Sequence, residues 1–435
     1  MSAAYPAVSS RPAIDAVDVA VVGAGLIGLA TAWELRRRGR SVVVIDPAPG
    51  EGASRAAAGM LAPVSEVQYQ QQALYPLMSA SAAEYPGFVE TLERDSGKSV
   101  GYRVTETLVC GVDIADRQGL TDLSQLQQRH GMAVEQLPLG EARSLEPALS
   151  PRLSAVFRAP ADHQVDPRRL VAGLLRVLTG QDGTARPPDG STDGGLGCVR
   201  RERAKALLRN RRGAVAGVML ANGQQILAAE TVLAPGLGAE GFEGLPANCR
   251  LPLRPVHGDI LRARLPPGAR PLIERTVRGL VHGVAVYLVP RTDGTVVIGA
   301  TSREDDQSGA NAGGVFRLLR DAQALVPGVV DLELMEVMAR ARPGTPDDVP
   351  YLGRVRGHGG GFVPGLVVST GYFRHGVLLA PLAARLAAQL ITGETGAEPD
   401  IDAAHLAATD PQRFEPSVLD RQVVSPSHVC TREQE

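Results

Sequence analysis

The sequence predicts an α/β fold, α+β overall, in which a helix-covered parallel sheet is joined to a second sheet. Three observations point to it. A short apolar strand running through glycine into a helix opens the chain and recurs near its close. An Asp293-Gly294 pair between two apolar runs marks a hairpin far from either end. The 435 residues are 44% hydrophobic and 21% charged, a globular composition with room for two or three domains.

In chain order, Asp18–Val22 is apolar and ends in glycine, as a buried parallel strand does. Leu26–Arg38 places Leu26, Leu29, Ala30 and Trp33 on one helical face, with a basic last turn and Gly39 as its stop. Ser41–Ile45 is a second buried strand, completing a βαβ unit at Asp46. Pro47–Gly59 reads as a loop and Val67–Gly97 as mostly helix. Tyr102–Val112 reads as a strand, and Asp116–His130 and Leu139–Leu145 as short helices. Asp166-Pro167 pairs an N-cap with a first-turn proline and starts a helix to about Leu178. Thr179–Gly197 is a Gly/Asp/Thr/Pro stretch expected to be a flexible insertion. Strands follow at Ala214–Leu220, Thr231–Ala234, Leu253–Ala263, Val284–Pro290 and Val296–Ala300, with a helix at Val315–Leu325. Leu366–Thr370 repeats the strand-to-glycine pattern before the apolar helix Val377–Ile391.

Composition excludes several functions. Basic and acidic residues number 45 and 47, so no basic field exists to hold a nucleic acid. Aromatic residues make up only 4%, too few for a base-stacking platform. Cys110, Cys198, Cys249 and Cys430 lie far apart, without metal or disulfide spacing, which fits a reducing cytoplasm. The first sixteen residues lack the continuous apolar core of a signal peptide, and Val17–Trp33 is too broken to span a bilayer. Lysine occurs only at Lys98 and Lys205, which leaves two candidates for lysine-dependent chemistry. Asp162-His163 reads as a loop leading into a helix, Asp305-Asp306 as a solvated loop, and the eight histidines lack ligand spacing.

One motif carries chemistry. Gly23-Ala24-Gly25-Leu26-Ile27-Gly28 fits G-x-G-x-x-G between strand and helix, with Asp46 at the end of the next strand. Gly23 permits the turn, Gly25 admits a pyrophosphate, and Gly28 lets helix and strand pack closely. The helix N-terminus at Leu26 and Ile27 offers N–H groups to phosphates. Asp46 can accept from ribose hydroxyls and repels a 2′-phosphate, disfavouring NADP. The motif leaves NAD and FAD open. The small-residue run Ala53–Met60, with Ser54 able to bind phosphate, leans towards FAD.

Further along stand Ala341-Arg342-Pro343-Gly344-Thr345 and Gly371-Tyr372-Phe373-Arg374-His375-Gly376-Val377-Leu378. With the Rossmann-like fingerprint, Ala56–Met60, Tyr287–Arg291 and Val297–Thr301, these motifs resemble the D-amino-acid oxidase superfamily of FAD enzymes. Within it they are most similar to the glycine oxidases of thiamine biosynthesis. The resemblance runs from about Asp18 to Ile391. It implies non-covalent FAD held by Gly23, Gly25, Leu26, Ile27, Gly28, Asp46, Pro47, Ser54, Ala58, Gly59, Met60, Ala204 and Gly371 to Leu378. It implies a substrate carboxylate held by Arg342 and Tyr287, with Arg374 close to both substrate and flavin, and no protein acid or base in catalysis.

It also implies a discontinuous FAD-binding domain of residues 15–97, 155–245 and 342–400. Residues 98–154 and 246–341 would form an antiparallel-sheet substrate domain, with 1–14 and 401–435 as flexible tails. The expected reaction is oxidative deamination of glycine to glyoxylate, ammonia and hydrogen peroxide, supplying the glycine imine for the thiamine thiazole. The expected partners are a small amino acid and O₂, with a homo-oligomer possible. Departures from the family are Arg340-Ala341 before Arg342, His375 where asparagine is usual, and Ser302 where some members have methionine. Rivals are a sarcosine or D-amino-acid oxidase or dehydrogenase of the same superfamily, and a non-catalytic FAD-binding scaffold. No lysine lies in Val256–Arg342 and no cysteine between Cys249 and Cys430, which counts against a covalent-flavin sarcosine oxidase.

Overall fold

The computed structural model describes residues 16–180, 198–239, 241–266, 268–357 and 359–414. Most of the Thr179–Gly197 insertion, the first fourteen residues and the end of the chain lie outside the described residues.

The opening βαβ unit forms as expected: β1 (Ala16–Val22), α1 (Leu26–Arg37) and β2 (Val42–Ile45). β1 and β2 pair in parallel, in register from Val19↔Val42 to Val22↔Ile45. Strand Gln225–Leu233 lies parallel on the other side of β1, and Phe362–Thr370 lies parallel beyond it. Both faces of these strands are covered, which explains their unbroken apolar runs. On one face, Leu29, Trp33 and Leu35 of α1 pack with Leu170, Leu174, Leu382 and Leu386 from helices Pro167–Thr179 and Ala380–Thr392. On the other face lie Leu207 and Val218 of an antiparallel extension, packed with Ile226 of strand Gln225–Leu233.

A second sheet runs in the order 333–344, 254–264, 295–299, 284–290, 276–281, 107–111, 155–159 and 135–137. It is antiparallel except where Thr276–Val281 meets Thr107–Gly111. The Asp293-Gly294 turn closes as predicted: Gly294 has φ +82° and Asp293 Oδ1 accepts from the Thr295 N–H at 3.0 Å. Helix Ala312–Leu325 seals the outer face through Leu318, Ala322 and Leu325.

Several elements differ from expectation. Residues 155–159, expected on the cofactor side, pair with strands Thr107–Gly111 and Glu135–Leu137 in the second sheet. Val156 and Phe157 are buried there. Residues 401–414, expected to be a tail, continue a helix (Pro399–Ala408) and dock. Asp402 takes the Arg385 guanidinium at 2.8 Å, and Thr409 exchanges hydrogen bonds with the Leu352 backbone. A short helix α2 (Ala53–Ala56) lies inside the expected loop. The helix expected from Val377 begins at Ala380, leaving 377–379 as turn. The helix expected over Val67–Gly97 begins at Leu74. Its Gly97 stop is left-handed, φ +65°. The 12-residue strand Glu333–Gly344 and strand Thr276–Val281 were not legible as strands.

Candidate active site

The two sheets meet over a cavity of about 720 Å³, a size suited to a cofactor with a small substrate. One end is built by the fingerprint. Gly23 has φ +101°, and a Cβ there would strike the Ala234 carbonyl. A Cβ on Gly28 would strike the Gly23 carbonyl, so that glycine is needed for packing rather than for a ligand. Gly25 differs: a Cβ there would lie 3.6 Å from the Ser54 hydroxyl, on the open wall. That hydroxyl accepts from the Leu26 N–H at 3.0 Å. First-turn N–H groups lack intrahelical acceptors, so a phosphate would find donors here. The Asp46 carboxylate is fixed by the Ala24 and Ala48 N–H groups, at 2.8 and 2.7 Å, with its remaining lone pairs available to ribose hydroxyls. This donor and acceptor set fits the phosphates and ribose of a dinucleotide.

The opposite wall is the turn Gly371–Leu378, which joins strand Phe362–Thr370 to helix Ala380–Thr392. Gly371 has φ +78°, and a Cβ would press on the Thr345 methyl. The turn is anchored on both sides. The Phe373 N–H donates to the Pro343 carbonyl at 3.0 Å. Tyr85 and Ser81 hydroxyls donate to the Val377 and Leu378 carbonyls, at 3.0 and 2.6 Å. His375 is buried, and burial, then Arg374 and Arg278, lowers its pKa to about 3. It is a neutral imidazole in the working range.

Between these walls the second sheet presents its polar groups. Arg342 extends from strand Glu333–Gly344 across Gly258, where a Cβ would overlap the guanidinium. One Nη donates to the Thr301 carbonyl at 3.3 Å, leaving most of the fork to the cavity. Tyr287 crosses Gly299 in the same way, and a Cβ there would strike its hydroxyl. Burial raises the Tyr287 pKa and lowers that of Arg342, while each opposes the other's shift. The pair therefore stays a neutral phenol beside a guanidinium.

Two further charged residues complete this end. Arg278 is the cross-strand partner of Tyr287. It forms a close ion pair with buried Glu66, whose other oxygen lies 2.6 Å from Arg374. Burial, then Arg374, lowers the Arg278 pKa to about 9. Glu66 sits on a loop held by Asp162, whose carboxylate accepts from the Val64 and Ser65 N–H groups at 3.1 and 3.2 Å. Burial raises the Asp162 pKa to about 6 against these hydrogen bonds.

Of the residues expected at the site, Gly25, Leu26, Ile27, Asp46, Ser54, Ala58, Gly59, Met60, Tyr287, Arg342 and Gly371 to Leu378 line the cavity. Gly23 and Gly28 stand behind its wall. Pro47 and Ala204 are not on its lining; Ala204 is half-buried at the head of strand Ala204–Arg209, paired with Leu220. Glu66 and Arg278 were not foreseen. Glu66 has no local signal. Arg278 had one: the His282-Gly283 turn between apolar runs pairs Arg278 with Tyr287 by hairpin counting.

Residues 18–390 match the family model described as FAD dependent oxidoreductase. A bifunctional protein ThiO/ThiG of Synechocystis is 32% identical over 377 residues, 86% of this chain and 51% of its own. The chain thus spans about half the length of that relative. Glycine oxidase of Geobacillus kaustophilus is 30% identical over 86% of this chain and 92% of its own. The crystal structure of glycine oxidase from Geobacillus kaustophilus superposes with a TM-score of 0.77 at 29% identity, over 92% of this chain and 99% of that one. Among the described residues no helix is long and apolar enough to cross a membrane. The chain belongs to the FAD dependent oxidoreductase family.

Proposed function

We propose that this chain oxidises glycine, and other small amines such as sarcosine or small D-amino acids, to the imine. The imine hydrolyses to glyoxylate and ammonia, or serves as the glycine imine for the thiamine thiazole. The observation that carries the reading is the placement of Arg342 and Tyr287 in one cavity with the dinucleotide fingerprint and the Gly371–Leu378 turn. The glycine oxidase relative supports the same substrate class.

Bound FAD supplies a two-electron acceptor that O₂ regenerates, with hydrogen peroxide as product. The fingerprint glycines, Asp46 and Ser54 would hold its phosphates and ribose, and the 371–378 turn would hold its ring end. Arg342 takes the substrate carboxylate in a bidentate pair, and the Tyr287 hydroxyl donates to the same group. This fixes the Cα–N bond in one orientation, the main contribution asked of the protein. Three guanidiniums, Arg278, Arg342 and Arg374, meet at this end; Glu66 pairs with Arg278 and Arg374, while Asp259 and Asp348 beside them are held by Arg303 and Arg254. The positive charge left over disfavours a bound ammonium and favours the neutral amine, which can lose hydride without a protein base. The lining carries small side chains at Ala285 and Ser302. A cytoplasmic location belongs to the same proposal.

The test is product analysis under air with glycine. Equal amounts of glyoxylate, ammonia and peroxide are expected. Glyoxylate without peroxide would instead identify a dehydrogenase, and no product from any small amine would leave a cofactor-binding scaffold.

A further inference from the structure

A second concavity, of about 390 Å³, lies outside the active-site cavity where the two sheets' elements meet. Four arginines line it: Arg55 of α2, Arg168 at the start of helix Pro167–Thr179, and Arg262 and Arg264 of strand Arg254–Arg264. Thr295 and Glu336 complete its polar lining.

The arginines are incompletely paired. Arg168 takes Glu336 at 2.8 Å and donates through Nε to the Arg55 carbonyl at 3.1 Å. Arg55 reaches Glu51 at 3.2 Å, and Arg264 reaches Glu333 only at 3.5 Å. Arg262 is 8% exposed, yet its Nε and Nη2 have no hydrogen-bond partner. Its nearest carboxylate oxygen, on Glu336, stands at 3.5 Å and is already held by Arg168. The Arg264 Nε is also buried without an acceptor. Glu51, Glu333 and Glu336 are the carboxylates these arginines reach, and Asp166 acts on Arg262 from further off, yet none gives an acceptor to the Arg262 Nε and Nη2. A buried guanidinium with unmet N–H groups calls for an acceptor carrying charge.

We propose that this groove binds a small tetrahedral oxyanion, free phosphate or the phosphate group of a metabolite, with Arg262 as its buried anchor. Several forks converging from two sides suit phosphate oxygens better than a single flat carboxylate. The site has a structural consequence. α2 carries Arg55 to the groove and Ser54 and Ala56 to the cofactor cavity. An anion joining Arg55 and Arg168 to Arg262 therefore fixes α2 against the second sheet and slows cofactor release. The proposal does not depend on which amine is oxidised.

The test uses the FAD-loaded protein, so that the fingerprint is already filled. Inorganic phosphate is titrated by calorimetry, and FAD release is timed by fluorescence with and without phosphate. Saturable binding of one equivalent and slower FAD release are expected. Binding should weaken at least tenfold in Arg262→Met and in Arg264→Glu. Because truncating the buried Arg262 also alters packing, Arg264→Glu, at a side chain 41% exposed, is decisive. Glycerol phosphate is titrated in parallel. Tighter binding than inorganic phosphate identifies an esterified phosphate as occupant, and binding of inorganic phosphate alone identifies the free ion. Absence of saturable binding by both, or equal binding by wild type and Arg264→Glu, overturns the proposal.

Discussion

Replacing Arg342 by alanine tests the substrate clamp. Arg342 reaches the cavity across Gly258, with one Nη on the Thr301 carbonyl and the Tyr287 hydroxyl beside its fork. Truncation removes two charge-assisted hydrogen bonds to the substrate carboxylate, each contributing about 1.5–3 kcal/mol. Arg278 and Arg374 are held by Glu66 and compensate only in part. A net loss of about 3–4 kcal/mol is expected, or roughly a 10²–10³-fold fall in kcat/KM for glycine. The loss should fall mainly on KM. Arg342→Lys keeps the charge but not the fork and should lie between. The assay is steady-state peroxide release, with FAD affinity measured on the same preparations. FAD affinity should change by less than threefold, because the fingerprint lies at the other end of the cavity. A glycine KM within threefold of wild type in Arg342→Ala would refute the clamp.

Three further outcomes follow from the same geometry. His375→Asn should remove a pH dependence of stability. The folded pKa of about 3 lies below the ordinary 6.5, so the stability it confers is present above 6.5 and lost as pH falls. Wild type should therefore lose about 2 kcal/mol relative to the variant between pH 7.5 and 5, read by urea unfolding at each pH; parallel profiles would contradict this. Gly258→Ala should displace the Arg342 guanidinium and raise the glycine KM by about tenfold or more, at a stability cost of about 1–3 kcal/mol; an unchanged KM would show that the Arg342 position is not set by Gly258. Glu66→Gln should leave Arg278 and Arg374 uncompensated and lower stability by about 2–4 kcal/mol, discounted because Arg374 is a quarter exposed; a loss below about 0.5 kcal/mol in urea unfolding would show the pairing to be unimportant.

Local pattern carried the parts of this fold that are locally determined. β1, α1 and β2 were legible because apolar strands and a glycine turn lie within thirty residues. The Asp166-Pro167 cap was legible because both its hydrogen bonds are local, to Arg168 and Arg169. Strand Glu333–Gly344 was not. It is an edge strand whose residues Leu334, Met335 and Val337 are exposed, so it shows no clean alternation. Its partner, Arg254–Arg264, is distant in sequence. The site divides in the same way. The fingerprint and the Gly371–Leu378 turn are continuous motifs. The charge balance around the substrate end depends on Glu66, Arg278 and Arg374, which only the packed sheets bring together. Asp162 shows the limit of motif reading: expected in a loop leading into a helix, it stands between strands Ala155–Ala159 and His163–Gln164, and its buried carboxylate fixes the loop that delivers Glu66.

The most direct measurement is rapid anaerobic mixing of the yellow, FAD-loaded protein with glycine, sarcosine and D-alanine, following absorbance near 450 nm. Full bleaching by glycine that saturates with concentration, and is lost in Arg342→Ala, is the predicted result. A protein that binds FAD yet keeps its colour with all three amines would contradict the account.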